Sequence, residues 1–275
     1  SEHPFTLNFN NKDVRITTHY YEKNILSSIF STIHEGGHAI YEQQIDDIVS
    51  ETVLGEGTSM GIHESQSRIF ENMFGRNINF LKNIFNKFDE LFDVRSKGIE
   101  VEDFYKIVNT VSKSLIRIEA DELTYPIHIM IRYELEKEIF SNLEEIESSE
   151  YIDYLANKWA DMYEEFLGVR PTTNSEGILQ DVHWSSGLFG YFPSYALGSA
   201  YAAQIYNSMN KEFSIEENLS NGNFDNINSF LKDKIHKFGK SKTPNELLIL
   251  ATGEAFNPDY YINYLKEKYR KIYGI

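Results

Sequence analysis

Cysteine is absent from the 275 residues. That removes disulfides, thiolate catalysis and cysteine-rich zinc sites together, so any metal must be held by His, Asp or Glu. The absence is compatible with the cytoplasm, which is the expected location. Positive charge is also scarce: 26 Lys and Arg face 42 Asp and Glu, for a formal net charge of −16. Nucleic acids and anionic membranes reward clustered Lys and Arg, so neither is expected as a partner. No apolar run is long enough to span a bilayer. The opening residues, Ser1 to Phe5, have no basic stretch followed by an apolar one, and do not read as a signal peptide. They also lack an initiator Met, as expected of a processed product or a segment of something longer.

What is present is mostly helical patterning. The length suits one large domain or two small ones, and no internal repeat, low-complexity linker or composition shift divides it. One mainly α domain over residues 1–275, with a small sheet near its start, is the expected architecture. Phe5 to Tyr21 reads as a β-hairpin turning at Asn10-Asn11-Lys12-Asp13, with Val14, Ile16 and Thr18 alternating with Arg15 and Thr17. Ile25, Ile29, Ile33 and Ile40 form an apolar stripe at helical spacing. Ser59 is an N-cap candidate for a helix running to Phe74, with Gly75 as its stop. Further helices are expected from Phe80 to Leu91, from Val101 to Val111, from about Asp121 to Phe140 with Pro126 in its first turns, and from Tyr151 to Leu167. Gly177 to Tyr195 reads as a long irregular loop. Thr243-Pro244 with Glu246 resembles a capping box, and Asn257-Pro258 opens the last helix in the same manner.

The chemistry is concentrated in His34-Glu35-Gly36-Gly37-His38, an H-E-x-x-H pattern on an expected helix. Residues four apart share a helix face, so both imidazoles can reach one ion, and Glu35 stands beside it as a proton acceptor. Two adjacent glycines inside a helix cost about 1 kcal/mol each relative to Ala, which calls for a reason such as close approach of another backbone or a substrate, with helix flexibility as the alternative. A catalytic zinc takes three protein ligands and keeps one open position. The downstream candidates for the third are Glu51, Glu56, His63 and Glu64. His63 and Glu64 are neighbours on one helix, about 100° apart, and are not expected to share an ion. Spacing alone leaves the choice open.

The surrounding residues carry a resemblance that narrows it. His63-Glu64-Ser65-Gln66 is similar to the H-E-[SG]-Q block of the carboxypeptidase Taq family of metallopeptidases. His3-Pro4-Phe5 resembles its H-P-F block, and Asp13 to Thr17 its D-x-R-x-T block. Ile116 to Asp121 resembles I-R-x-x-A-D, and Gly177 to Trp184 resembles G-x-x-Q-D-x-H-W. These ordered blocks extend from residue 3 to residue 184. The resemblance implies a zincin-like helical fold and a metallocarboxypeptidase acting on peptides with a free C-terminus, with broad specificity and poor release of C-terminal Pro. It also implies a homodimer, and Glu64 as the third ligand beside His34 and His38. Zn²⁺ suits that donor set, and Co²⁺ or Mn²⁺ could occupy it. Members of the family are close to twice this length, so the chain resembles their C-terminal, catalytic portion, without the helical region that precedes H-P-F.

Roles can be assigned from the chemistry. Glu35 is expected to act as general base toward water activated by the metal. A carboxypeptidase needs a cation for the terminal carboxylate, and Arg suits it through its bidentate fork. Arg117 is the first candidate and Arg132 the second, with His128 one turn before Arg132. His183 could donate to the oxyanion or the substrate carboxylate. Tyr195 could donate to the oxyanion, and Tyr191 could contact substrate. Arg15 could line the cleft from the hairpin. Arg68 and Glu71 share the helical face of Glu64 and are expected to orient the ligands from behind. Two other readings stand beside this one: an H-E-x-x-H endopeptidase, and a truncated metal-binding homologue with little or no peptidase activity.

Overall fold

The computed structural model describes residues 3–275; Ser1 and Glu2, part of the stretch read for a signal peptide, lie outside it. The chain divides into two compact units, one made of Ser1–Asn109 with Leu197–Ile275, the other of Thr110–Ala196. Both are mainly α. Among the described residues the sheet is confined to one hairpin, and no helix is long and apolar enough to cross a membrane.

The first unit opens with strands β1 (Phe5–Asn10) and β2 (Asp13–Thr17), antiparallel, with Phe5 opposite Thr17 and Leu7 opposite Arg15. The expected turn is present, with Asn10 Oδ1 accepting from the Lys12 and Asp13 amides at 2.8 and 3.1 Å. Alternation sends Phe5, Leu7 and Phe9 outward, where they are exposed, and Thr6 and Asn8 inward onto the next helix. That helix is α1 (Ile25–Gln43), capped by Asn24 accepting from the Ser27 amide. The isoleucine stripe is not its fully buried face: Ile25 is exposed, and the residues buried are Ser28, Phe30, Glu35, Gly37, Ala39, Tyr41 and Glu42. The stripe misleads because much of what α1 buries is polar or small, and a hydrophobic period does not register such residues.

Short helix α2 (Asp47–Ser50) leads to α3 (Met60–Arg68), capped as expected by Ser59, whose hydroxyl accepts from the Ile62 amide at 3.1 Å. The α-geometry does not run to Phe74. At Ile69 it gives way to a π-helical turn that continues to Gly75, with the Arg76 amide bonding back five residues to the Glu71 carbonyl. Helix α4 (Ile78–Phe92) and α5 (Val101–Val108) close a core of Phe30, Leu81, Phe85, Val94, Phe104 and Val108. Helix α5 stops three residues short of Val111, because the Asn109 side chain turns back onto the Tyr105 and Arg76 carbonyls.

In the second unit, α6 (Tyr125–Ser141) packs on α7 (Ser149–Leu167) through Ile131, Leu135 and Ile139 against Tyr151, Leu155, Trp159, Tyr163 and Leu167. Helix α6 begins at Tyr125, not Asp121. The Asp121 carboxylate caps a separate turn, accepting from the Leu123 and Thr124 amides at 3.0 Å each, and Pro126 then occupies the first turn of the true helix. The segment from Gly177 is irregular, with one 3₁₀ turn at Trp184–Ser186, and ends where α8 (Pro193–Glu212) begins.

From Leu197 onward α8 belongs to the first unit, followed by α9 (Ile215–Ser220), α10 (Asp225–Lys234), α11 (Pro244–Thr252) and α12 (Asp259–Tyr273). The Thr243–Glu246 capping box is formed in both directions. Asn257 instead caps through a local turn to the Asp259 amide.

Candidate metal centre

Helices α1 and α3 bring His34, His38 and Glu64 together, with one ligand atom from each lying within 4.8 Å of the others. Glu64 Oε2 is 3.8 Å from His34 Nε2 and 3.7 Å from His38 Nε2. A tetrahedral ion with bonds of about 2.1 Å keeps its donors about 3.4 Å apart, so Glu64 Oε2 needs to approach each imidazole nitrogen by only a few tenths of an ångström. Two imidazole nitrogens and a carboxylate oxygen are a donor set that fits a divalent ion. His63, the neighbour of Glu64, faces elsewhere, as the 100° step requires. Glu35, buried on the motif helix, stands outside the group.

Glycine makes the approach of these elements possible. A Cβ on Gly37 would lie 2.6 Å from the Gln66 carbonyl oxygen and 2.8 Å from Ser67 Cα. One on Gly198 of α8 would lie 2.5 Å from Glu64 Cγ. Gly36 differs, with nothing within 4 Å of the same added atom. The two glycines of the motif therefore separate by experiment. Gly37→Ala should cost about 3 kcal/mol, the upper part of the usual overpacking range, because backbone must move. Gly36→Ala should gain about 1 kcal/mol from helix propensity. Urea unfolding of the two variants measures both, and equal effects would remove the close approach as the reason for Gly37.

Behind the group each ligand has a partner. Glu71 Oε2 lies 2.9 Å from His34 Nδ1, so the imidazole donates there and turns Nε2 to the ion. Burial opposes charge on His34, but Glu64 and Glu71 outweigh it and hold its pKa above the usual value. Burial, reinforced by the charges His34 and His63 would carry, pushes His38 well below it. Glu71 is held far below the carboxylate range despite burial, by the His34 hydrogen bond and by Arg68 and Arg76. Arg68 Nε donates to Glu64 Oε1 at 2.6 Å, while Oε2 takes a longer 3.3 Å bond from Ser67 Oγ and faces the two imidazoles. The sequence pattern places Arg68 and Glu71 here as well.

Other supports escape that pattern. His38 Nδ1 lies 2.7 Å from His63 Nδ1, whose Nε2 lies 2.6 Å from Glu42 Oε1. Thr6 Oγ1 donates to Glu35 Oε2 at 2.7 Å, and Asn8 Nδ2 to Glu42 Oε2 at 2.8 Å. Glu42 had a signal, since it comes one helical turn after His38. Thr6 and Asn8 had only their shared strand face.

A profile described as the carboxypeptidase Taq (M32) metallopeptidase matches residues 1–269. The chain belongs to this family. Over 272 residues it is 49% identical to Carboxypeptidase 1 of Bacillus subtilis, covering 98% of this chain and 53% of that protein. It is 43% identical to Thermostable carboxypeptidase 1 of Pyrococcus furiosus, over 98% of this chain and 53% of that protein. The crystal structure of the M32 carboxypeptidase from Deinococcus radiodurans superposes with a TM-score of 0.94 at 38% identity, covering 100% of this chain and 55% of that one. The chain thus spans about half the length of the curated M32 relatives it matches.

The M32 blocks of the second unit assemble a buried polar cluster of their own. Asp181 pairs with both Arg117 (2.8 Å) and Arg132 (2.5 Å), and their charges hold its carboxyl below the usual range despite burial. Arg132 has all five N–H groups engaged. Nε reaches Asp181 Oδ2, Nη1 reaches the His128 carbonyl and Tyr163 Oη, and Nη2 reaches Gln180 Oε1 and Asp181. It is fully buried and has no donor left over for a ligand. Arg117 is buried too, but among the described residues it spends only Nε and one N–H of each Nη, on Asp181 and Tyr125 Oη. His128, fully buried, bonds Tyr163 through Nδ1, and burial together with Arg132 pushes its pKa down to about 3. His183 Nε2 lies 3.0 Å from Tyr195 Oη, while its Nδ1 is buried with no hydrogen-bond partner among the described residues. Tyr191 stacks at an angle on His183, 5.4 Å between ring centres. Arg15 is exposed on the hairpin and forks onto Asp13 at 2.7 Å through two nitrogens.

Proposed function

We propose that this chain is the metal-binding, catalytic portion of a zinc-dependent metallocarboxypeptidase. The observation that carries the reading is the placement of Glu64 Oε2 less than 4 Å from both motif imidazoles, with Glu35 beside the group but not in it. Two imidazoles and a carboxylate suit Zn²⁺, and Co²⁺ or Mn²⁺ accept the same donors. Such an ion supplies Lewis acidity toward a peptide carbonyl and makes water acidic enough to be deprotonated near neutral pH. His34, His38 and Glu64 would hold it, backed by Glu71, His63 and Arg68. Glu35, anchored by Thr6, takes the proton of the attacking water and returns it to the leaving amine.

Exopeptidase action needs recognition of a chain end. Among the two buried arginines, Arg117 is the one with N–H groups to spare, and it is our candidate for the terminal carboxylate. Arg132 supports it by sharing Asp181. His183 and Tyr195 form a hydrogen-bonded pair, and with His183 Nε2–H as its donor the phenol proton is left for a substrate oxygen.

Mass spectrometry of a peptide incubated with the zinc-loaded chain tests the reading. A ladder shortened from the C-terminus, abolished when that terminus is amidated, is expected. Internal cuts that survive amidation would establish an endopeptidase, and intact peptide would establish a metal-binding chain without activity.

A further inference from the structure

The metal reading leaves open what a buried acid and the histidine behind His38 do for the site. Glu42 is buried on α1, yet among the described residues no cation is paired with it except through His63. Its contacts fix its own state of donation. The Gly57 amide donates to Oε1 at 3.1 Å, and an amide can do nothing else. Asn8 Nδ2 donates to Oε2 at 2.8 Å. As a carboxylate Glu42 has only acceptors, so its third partner, His63 Nε2 at 2.6 Å, is a donor as well. In a neutral imidazole one nitrogen donates and the other accepts. His63 Nδ1 is then the acceptor, and the proton in its 2.7 Å contact with His38 Nδ1 belongs to His38. That leaves the lone pair of His38 on Nε2, the atom facing Glu64 Oε2 at 3.7 Å.

We infer that Glu42 and His63 form a relay that positions His38, fixing its metal-binding tautomer and ring orientation. The inference rests on the reading of His34, His38 and Glu64 as a metal site. The relay differs from the usual carboxylate behind a metal-bound histidine by the interposed imidazole. His34 in the same site has the direct form, with Glu71 against its Nδ1. The interposed ring explains two further features. Gly57 must lack a side chain, because a Cβ there would lie 2.6 Å from His63 Cδ2 and 2.8 Å from the Tyr41 ring. Asn8 on the inward face of β1 ties the hairpin to the far end of the relay, as Thr6 ties it to Glu35. Glu42 and His63 are positioning residues, since neither touches the ion or a substrate.

Zinc affinity by chelator competition, with nitrogen-15 spectra of histidine-labelled, zinc-loaded protein, tests the relay. His63→Phe keeps the ring volume and removes both nitrogens, and it should weaken zinc binding by about 10- to 100-fold. Glu42→Gln, nearly isosteric, should weaken it in the same direction. The double variant should bind no worse than His63→Phe, because both substitutions break one chain. The parent spectra should show protons on His38 Nδ1 and His63 Nε2 and a bare His63 Nδ1, a pattern that mere packing does not require. A proton on His63 Nδ1, or folded variants within twofold of the parent affinity, would overturn the relay. If His63→Phe does not fold, Glu42→Gln and the parent spectra decide. No zinc binding by the parent would instead overturn the metal reading, and the relay with it.

Discussion

Glu35→Gln should bind zinc as tightly as the parent and cleave peptides about 10³-fold more slowly, or worse. General acid–base groups contribute roughly 10² to 10⁴ in rate, and in the role proposed for it Glu35 acts in both halves of the reaction. The substitution is clean for structural reasons. Glu35 is buried but lies outside the group of His34, His38 and Glu64, so its charge does not hold the ion. Its carboxylate accepts from Thr6 Oγ1, and the amide oxygen of Gln can accept the same bond. The fold and the ligand cluster should therefore be unchanged, leaving only the loss of proton transfer. Steady-state hydrolysis beside chelator competition measures both quantities on one sample. A variant that retains activity would remove Glu35 as the base, and one that loses zinc would make it part of the metal group.

Asp181→Ala should destabilise the second unit by about 3–5 kcal/mol, the usual effect of taking one partner from a buried ion pair. Here the loss falls on two cations at once. Arg117 and Arg132 both lie almost entirely out of water and share the one carboxylate, and Gln180 offers only a neutral oxygen in its place. His128 cannot help, since it stays neutral beside Arg132. The chain's two tryptophans, Trp159 and Trp184, both belong to this unit, and Arg132 lies over the Trp159 ring at 4.6 Å. Tryptophan fluorescence in a urea titration thus reports the event locally. An unfolding midpoint equal to the parent's would mean that the arginines find water or another partner when the carboxylate is gone.

The sequence carried some of this architecture openly. The hairpin turn, the Ser59 cap and the Thr243–Glu246 box are local chemistry, settled by residues within four positions of one another, and each formed as expected. The start of α6 was misread because Asp121 makes a genuine cap on a turn that is not the helix. The isoleucine spacing of α1 shows a helix but not its buried face, because much of what that helix buries is polar or small. The metal group was half legible. Periodicity put His34 and His38 on one face, but whether Glu64 or His63 turns toward them depends on how α3 lies against α1. That packing is fixed by Gly37 and by Gly198, far away in sequence, and only the resemblance of the H-E-S-Q block anticipated it. Glu42, Thr6 and Asn8 act through contacts between elements, which spacing does not record.

The π-helical turn from Ile69 to Gly75 has a consequence of another kind. It holds more residues per turn than the α-helix before it, and Glu71 reaches His34 from within it. Deleting Ile69 or Phe70 would favour a regular α-helix and rotate Glu71 and the side chains after it by about 100°. His34, His38 and Glu64 would all still be encoded, and Arg68 would still sit behind Glu64. The carboxylate behind His34 would be gone. The site is therefore vulnerable to a change in length at a place where every single substitution away from Glu71 leaves its ligands and their supports in the chain.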